Sequence, residues 1–346
     1  MAGNIKQVSE SGSGSEDEFD KEESLANDLV VTKYTQAADI ANSVLKEVIA
    51  AVKEGVEVGF LCDLGDRLIL ERTSMVFKKE EIQKGIAMPT CISVDNCICH
   101  YSPLRSNTEL VLHNGQMVKI DLGAHIDGYV ATVAHTVVVG ASPTEKIKSQ
   151  KANVIMAAYR AMEAAIRMLR PGMYKNMDVT GMIDQISGFY KANFINFSIR
   201  IYLQVKPVEN MLSHQLLRNK IDGEKQIIQN PGEKQRAEMT KCSFKKYEAY
   251  AIDIVMSTGE GHAKLADTNA TVYKRTDDVV YSLKMKAART FFSNAMSRFG
   301  SMPFTLRAFE EKAAKLGVVE CKRHNLLQPF QVRSLKLLCR DLKLKL

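Results

Sequence analysis

Apolar residues return every three or four positions over 34–52, at Ala37, Ala38, Ile40, Ala41, Val44, Leu45, Val48, Ile49 and Val52, and the run stops before Gly55. That period lays an apolar stripe along one face of an α-helix, and a glycine just past it ends the helix. A second helix is expected over 61–71. After Pro89 the pattern turns strand-like: β-prone runs occupy 90–94, 117–122 and 129–139, with Asn114-Gly115 and Asp127-Gly128 as turn dipeptides. The last two runs predict an antiparallel hairpin. A long helix is expected over 144–169, with Val154, Ile155, Ala158, Ala161, Met162, Ala165 and Met168 on one face, and Arg170-Pro171-Gly172 ends it. A shorter helix follows at 179–190, and strand-like pieces return at 225–229 and 249–255. Two more helices, 281–299 and 306–316, flank Met302-Pro303-Phe304. The order helix, hairpin, helix is loosely repeated, which predicts two related α+β halves around a shared sheet.

Composition leaves that picture unchanged. The 346 residues are 45% hydrophobic and 25% charged, the balance of a globular protein able to bury a large core. No apolar run approaches the roughly 20 residues needed to span a bilayer, and residues 1–28 carry neither the basic nor the apolar part of a secretory signal. An intracellular protein without membrane insertion is expected. Seven cysteines (Cys62, Cys91, Cys97, Cys99, Cys242, Cys321, Cys339) are an odd count without a CxxC pair, so reduced thiols are expected rather than a zinc site or disulfides.

Charge divides the chain. Residues 1–28 hold eight acidic side chains against Lys6 and Lys21, a balance of −6, which leaves +13 on the rest of a chain whose net charge is +7. The low-complexity run Ser9 to Glu18 cannot bury apolar surface, so 1–28 is expected to be a disordered acidic tail. A basic body is what a polyanion such as RNA attracts, and equally what solubility alone requires.

Three stretches carry a resemblance: Ala87-Met88-Pro89-Thr90 leading to Asn96 and His100; Lys119-Ile120-Asp121-Leu122-Gly123; and Tyr250-Ala251-Ile252-Asp253 leading to Ser257-Thr258-Gly259. Together they resemble the type II methionine aminopeptidases. The chain is more similar still to a non-peptidase branch of that group, the proliferation-associated or ErbB-receptor-binding proteins, through Leu29-Val30-Val31-Thr32-Lys33-Tyr34, Met211-Leu212-Ser213-His214-Gln215-Leu216, Ile221-Asp222-Gly223-Glu224-Lys225 and the run from Met302 to Phe309. The resemblance spans 29–330. It implies the α/β (α+β) pita-bread fold: two pseudo-symmetric halves around a curved, mostly antiparallel sheet, with an inserted helical subdomain at about 265–325. An atypical basic tail, 331–346, stands where closing strands of the sheet are expected to be missing.

In the peptidases two aspartates, a histidine and two glutamates hold two divalent metals, which activate a water and polarise the scissile carbonyl. On this resemblance Asp121 keeps the first aspartate position, but Thr132 stands at the second, and a hydroxyl is a poor, non-bridging ligand for a hard or borderline dication. His214 keeps the ligand histidine. Asp222 replaces a substrate-contacting histidine, Asp253 is one methylene shorter than the glutamate it replaces, and the last glutamate has no counterpart in 331–346. At most one weakly held ion is left to Asp121, His214 and Asp253. His100, which touches substrate in the peptidases, then becomes a hydrogen-bonded residue lining the pocket, and Asp121 and Asp253 are expected to pair with water or a basic side chain. No catalysis, cofactor or metal is expected.

With catalysis set aside, two basic clusters are candidates for RNA phosphates. One is Lys284, Lys286 and Arg289, with Arg298 and Arg307 beyond, in a mainly helical region. The other is Arg218, Lys220 and Lys225 in an expected projecting loop. The resemblance implies a monomer that docks on the large ribosomal subunit and its rRNA, or on other structured RNA, together with protein partners in growth signalling and transcriptional repression, in cytoplasm and nucleus or nucleolus. Two alternatives stand beside it: a metal-dependent methionine aminopeptidase, and a truncated splice form with impaired folding. The apolar stretch 194–204, outside the family pattern, and the ending 331–346 motivate the latter.

Overall fold

A computed structural model describes residues 22–107, 110–196 and 199–335. Helix α1 (Asp28–Ala51) buries Val30, Ala37, Ile40, Ala41, Val44, Leu45 and Val48, and Asn27 caps it by accepting the Leu29 N–H at 2.9 Å. It begins six residues ahead of the expected 34 because the apolar stripe reaches back to Val30. Residues 22–28, expected to belong to a disordered tail, are placed against the body. Within 22–28, Glu23 pairs with Arg218 at 2.8 Å and Leu25 N–H donates to the Tyr247 carbonyl at 3.3 Å, so these residues are held by the body.

Helix α2 (Val58–Met75) and α1 pack on a sheet of β1 (Lys84–Val94), β3 (Met117–Ile126) and β4 (Tyr129–Val138), in order β1-β3-β4, all antiparallel. The turn between β3 and β4 puts Asp127 and Gly128 at φ 54° and 79°, the left-handed pair that a two-residue hairpin requires. Ile120, Leu122, Ala124 and Ile126 of β3 are all fully buried beneath the helices. A large side chain buried this way contributes about 1.5–3 kcal/mol.

The second half repeats the scheme. Short strand β2 (Cys97–Cys99) aside, α3 (Ser149–Met168) and α4 (Asn176–Phe189) form the helical layer. The expected start at 144 moves to 149 because Ser142 Oγ accepts the Glu145 N–H at 3.0 Å and holds that stretch as a turn. Strands β5 (Lys191–Asn196) and β6 (Ile199–Gln204) pair antiparallel across the apolar stretch outside the family pattern. After β7 (Lys206–Pro207), a sheet of β8 (Met211–Leu216), β9 (Gln226–Gln229) and β10 (Ala249–Ala251) runs in order β10-β8-β9, with the short helix α5 (Glu233–Glu238) in its connection. Val154, Ala161, Val179, Ile183, Ile227 and Phe244 join helices and sheet in one core.

The expected strand 249–255 is shorter, ending with β10 at Ala251, and β11 (Met256–Ser257) follows beyond it, paired with β7. Strand β12 (Ala263–Leu265) precedes a small sheet formed by β13 (Val272–Arg275), β14 (Phe304–Thr305) and β15 (Leu327–Phe330). Two helices cover it. Helix α6 (Lys286–Phe299) starts later than the expected 281 because the Glu320 carboxylate accepts the Lys284 and Met285 N–H groups, at 2.8 and 2.9 Å, and fixes the helix entry. The helix expected at 306–316 is instead a 3-10 turn (Leu306–Ala308) followed by α7 (Glu311–Arg323), capped by Glu310, which accepts the Lys312 and Ala313 N–H groups. At the α6–α7 crossing a Cβ on Gly317 would lie 2.4 Å from Phe291 Cβ, so glycine permits the close approach. The last described strand, β16 (Arg333–Leu335), sits between β12 and β2. The sheets do not join into one closed sheet among the described residues, and no helix there is long and apolar enough to cross a membrane. Residues 1–21 and 336–346, most of the two expected tails, lie outside the described residues.

Candidate functional site

Strand alternation sets the pocket. Ile120 and Leu122 face the helices, so Asp121 between them faces the other way, with Cys91 of β1 opposite it. Thr132 of β4 is register partner to Gly123, two residues along β3, and therefore stands on the Asp121 face. A Cβ on Gly123 would come within 2.9 Å of Thr132 Cγ2, so the threonine lies directly over the glycine, and it is exposed. Spacing of eleven across the hairpin does bring 121 and 132 to one face, where a neutral hydroxyl now stands.

Asp253 reaches the same pocket from beyond β10. Its backbone N–H donates to Ser213 Oγ at 2.9 Å, and Ser213 Oγ donates back to the Asp253 carbonyl at 3.3 Å. Burial pushes the Asp253 carboxyl up to about 6. Asp121 goes further, to about 7, first by burial and then by the charge of Asp253. Cys99 is raised to about 12 by burial and then by Asp253, and Cys91 is raised by burial and then by Asp121. Two carboxyls and two thiols thus share one neighbourhood. Of the two expected partners, water or a basic side chain, the second is not found among the described residues: neither carboxylate has a hydrogen bond or ion pair to one of them.

The histidines stay apart from that pair. His100, at φ 63°, places Nδ1 3.1 Å from the Gln331 carbonyl and its ring edge-on to Phe330 at 5.2 Å. Burial lowers its basicity, so the neutral ring donates to that carbonyl. His214, on β8 between β9 and β10, is likewise lowered by burial, its Nδ1 3.4 Å from the Gln215 carbonyl. Asp222 is committed elsewhere, both oxygens taking Lys274 Nζ at 2.8 and 2.6 Å. Among the described residues no group of three or more His, Cys, Asp or Glu side chains is arranged to hold a metal ion. With a neutral threonine at the bridging position and no group of three ligands among the described residues, the side chains present do not fit a two-metal centre.

The basic candidates separate by their partners. Arg307 leaves the phosphate-facing set. Its guanidinium is buried, donating to Ser102 Oγ at 2.8 Å, the Pro103 carbonyl at 3.1 Å and Asp66, with Asp63 at 2.8 Å. Arg218 donates to Asp127 and Glu23, each at 2.8 Å, and Lys225 to the Ser243 carbonyl at 2.9 Å and to Glu248 at 2.5 Å. The loop expected to project is a tight turn that docks: Asn219 N–H donates to the Gly128 carbonyl at 2.9 Å, and a Cβ on Gly128 would fall 2.2 Å from Asn219 Oδ1. Arg289 caps the Leu283 and Lys284 carbonyls, and Arg298 donates to the Ala308 carbonyl while lying 5.0 Å from the Phe299 and Phe309 ring centres. Lys220, Lys284 and Lys286 are exposed, and their ammonium groups have no hydrogen bond or ion pair to a described residue.

Sequence reasoning missed three features. Asp66 with Arg307 is a buried pair 241 residues apart in sequence. Cys91 and Cys99 line the pocket, and Asp127, read only as a turn residue, gathers Lys33 and Arg218. Only the last had a signal, an acidic residue beside a turn glycine, and that signal is not specific.

Comparison with known proteins gives concordant results. The model of metallopeptidase family M24 matches residues 32–268. ErbB-3 binding protein 1 of Arabidopsis thaliana is 44% identical over 322 residues, covering 92% of this chain and 77% of the relative. Proliferation-associated protein A of Dictyostelium discoideum is 42% identical over 311 residues, covering 90% and 76%. Among solved structures, a thermophilic Arx1 superposes with a TM-score of 0.79 at 27% identity, covering 90% of this chain and 85% of that one.

Proposed function

This chain belongs to metallopeptidase family M24, in the branch of the ErbB-3-binding and proliferation-associated proteins, and from that membership we propose that it is a non-catalytic interaction protein that docks on the large ribosomal subunit and on structured RNA. The observation that carries the reading is the contrast of cations. Arg307, Arg218 and Lys225 are taken up by the protein's own acids, whereas Lys220, Lys284 and Lys286 stand exposed without a partner among the described residues. Exposed ammonium groups on a body of net +13 are what phosphate backbones attract, through release of counterions and without reading sequence. Lys274, bonded to Asp222, ties the turn bearing Lys220 to the small sheet beneath α6 and α7.

The aminopeptidase-like unit 29–330, with a helical subdomain at 265–325, acts as a monomer. It moves between cytoplasm and nucleus and serves growth control through protein partners, in keeping with the relatives named for proliferation and receptor binding. Co-sedimentation with purified large ribosomal subunits tests the docking. The parent chain is expected to pellet with the subunits and the Lys220→Glu, Lys286→Glu double variant to stay in the supernatant; equal pelleting of both would sink the reading.

A further inference from the structure

Helix α3 carries three stripes, each one residue further round than the last. Val154, Ala157, Ala161, Ala165 and Met168 are buried in the core of the second half. One position on, Tyr159, Met162, Ile166 and the capping residue Leu169 recur at intervals of three and four. One position beyond those stand Arg160, Glu163, Arg167 and Arg170. Successive helical residues turn by about 100°, so a core-facing helix needs only the first stripe to be apolar. The second is surplus. Tyr159 and Ile166 are 48% and 53% exposed, and the spacing of their stripe is that of a seam packing against another helix.

A wall faces this seam. Met162, Ile166 and Leu169 form one side of a groove of about 370 Å³, and Phe244, Tyr250 and Ile252 form the other. The wall is fixed: the Phe244 and Tyr250 rings meet edge-on at 5.4 Å, the Tyr250 hydroxyl donates to Glu248 at 2.8 Å, and Glu248 is already paired with Lys225. The cations of the rim are less fully answered. Lys245 lines the groove and Lys246 follows it; both are exposed, and neither ammonium has a hydrogen bond or ion pair to a described residue. On the α3 rim, Glu163 is shared between Arg160 and Arg167, at 2.9 and 3.7 Å, and the Arg170 guanidinium donates to the Arg167 carbonyl, with no acid paired to it among the described residues. An apolar floor thus runs between rims of net positive charge.

We propose that this groove seats an acidic amphipathic helix of a protein partner, its apolar side chains on Tyr159, Met162, Ile166 and Leu169 and its carboxylates along the two rims, against Arg170 and Lys245. The fit is one of length and charge. At 1.5 Å per residue the seam from 159 to 169 rises about 15 Å, so about three turns of a partner helix cover it. Apolar anchors in the groove supply the affinity, while the rim cations select the sign of the partner and turn basic helices away. The inference goes beyond docking on the ribosome and does not rest on it, since Lys220, Lys284 and Lys286 take no part.

Fluorescence anisotropy on the full chain tests this with two labelled synthetic helices, both with leucine at the seam positions of successive heptads, one carrying glutamate and the other lysine at the flanking positions. The glutamate helix is expected to bind at micromolar concentrations and the lysine helix at least about tenfold more weakly. Ile166→Glu, at a half-exposed position, should weaken the glutamate helix at least about tenfold while the melting temperature stays that of the parent. Lys245→Glu with Lys246→Glu should weaken it about tenfold near 0.05 M salt and only about twofold near 0.3 M, where charges are screened. No binding by the parent, equal binding of the two helices, or undiminished binding by Ile166→Glu would overturn the proposal. So would binding of the parent to phosphatidylserine vesicles that Ile166→Glu abolishes, which would make the face a membrane contact, or a dimer of the parent that Ile166→Glu dissolves, which would assign it to a second copy. Ile166→Glu is expected to pellet with large ribosomal subunits as the parent does; loss of pelleting in that variant would give the groove to the ribosome instead. Failure of both chains to pellet would sink the ribosomal reading and leave the helix site standing.

Discussion

Two groups of acids whose ionisation is opposed by burial lie in this molecule, and they have opposite surroundings. Asp66, on α2, accepts the Thr90 N–H at 2.7 Å and the Arg307 guanidinium, which reaches it from the 3-10 turn and is held in turn by Asp63, Ser102 and Pro103. Asp121 and Asp253 have no such partners and face each other's charge. Burial pushes up the carboxyl in both places; at Asp66 the charge of Arg307 opposes the rise, whereas at Asp121 the charge of Asp253 adds to it. A charge built into a fold arrives with its donors. The other pair sits at positions that the resemblance to the peptidases assigns to metal ligands, and no described residue bonds to either carboxylate.

The largest effect tests the satisfied side. Arg307→Ala leaves Asp66 buried without a counter-charge, and removing one member of a buried pair costs about 3–5 kcal/mol. Urea unfolding should show the midpoint falling accordingly, and the double variant Arg307→Met, Asp66→Leu should regain most of the loss, since apolar replacement removes both desolvation costs together. An Arg307→Ala chain as stable as the parent would mean that the pair is as dispensable as the pocket acids, and the comparison would collapse.

The unsatisfied side predicts the reverse sign. An unfolded aspartate loses its proton near 3.9 and Asp121 in the folded chain near 7, so between those values the folded state holds a proton that the unfolded state has released. Stability from this group is therefore complete below about 4, declines as pH rises, and is gone above about 7. An asparagine at this position mimics the protonated carboxyl at every pH. Asp121→Asn should thus raise stability by about 1–3 kcal/mol at pH 8 and leave it nearly unchanged at pH 4. Thermal melts at the two pH values read the difference. A loss of stability at pH 8 would show that the ionised carboxylate has a partner after all.

The sequence made one of these regions legible and hid the other. Alternation around Asp121, the Asp127-Gly128 turn and the spacing to Thr132 are local, so the hairpin and the face shared by 121 and 132 could be read from it. The resemblance located Asp253 and His214. Helical periodicity puts Arg307 on a basic surface, whereas the chain there is a 3-10 turn whose arginine points inward. Nothing local pairs position 66 with position 307. The starts of α6 and α7 were hidden for a similar reason: the cap of α6 comes from Glu320, more than thirty residues away, and glutamate at 310 is not a usual capping residue.

The smallest expected effect comes from returning the missing ligands. Thr132 is exposed and lies over Gly123, so Thr132→Asp exchanges one small polar surface residue for another of similar size and should shift stability by no more than about 0.5 kcal/mol. Combined with Asp253→Glu it restores two ligand types at their positions on the shared face. It supplies no counterpart for the last glutamate, and Asp222, where the peptidases carry a substrate-contacting histidine, stays locked to Lys274. Substrate would still be unheld, and a bridging carboxylate would still be lacking. With added manganese or cobalt, the Thr132→Asp, Asp253→Glu chain is therefore expected to release no methionine from a Met-Ala-Ser peptide, as read by mass spectrometry against a competent aminopeptidase. Release of methionine would place this pocket two substitutions from catalysis, and the division between architectural and vestigial acids would have to be redrawn with Asp121 on the functional side.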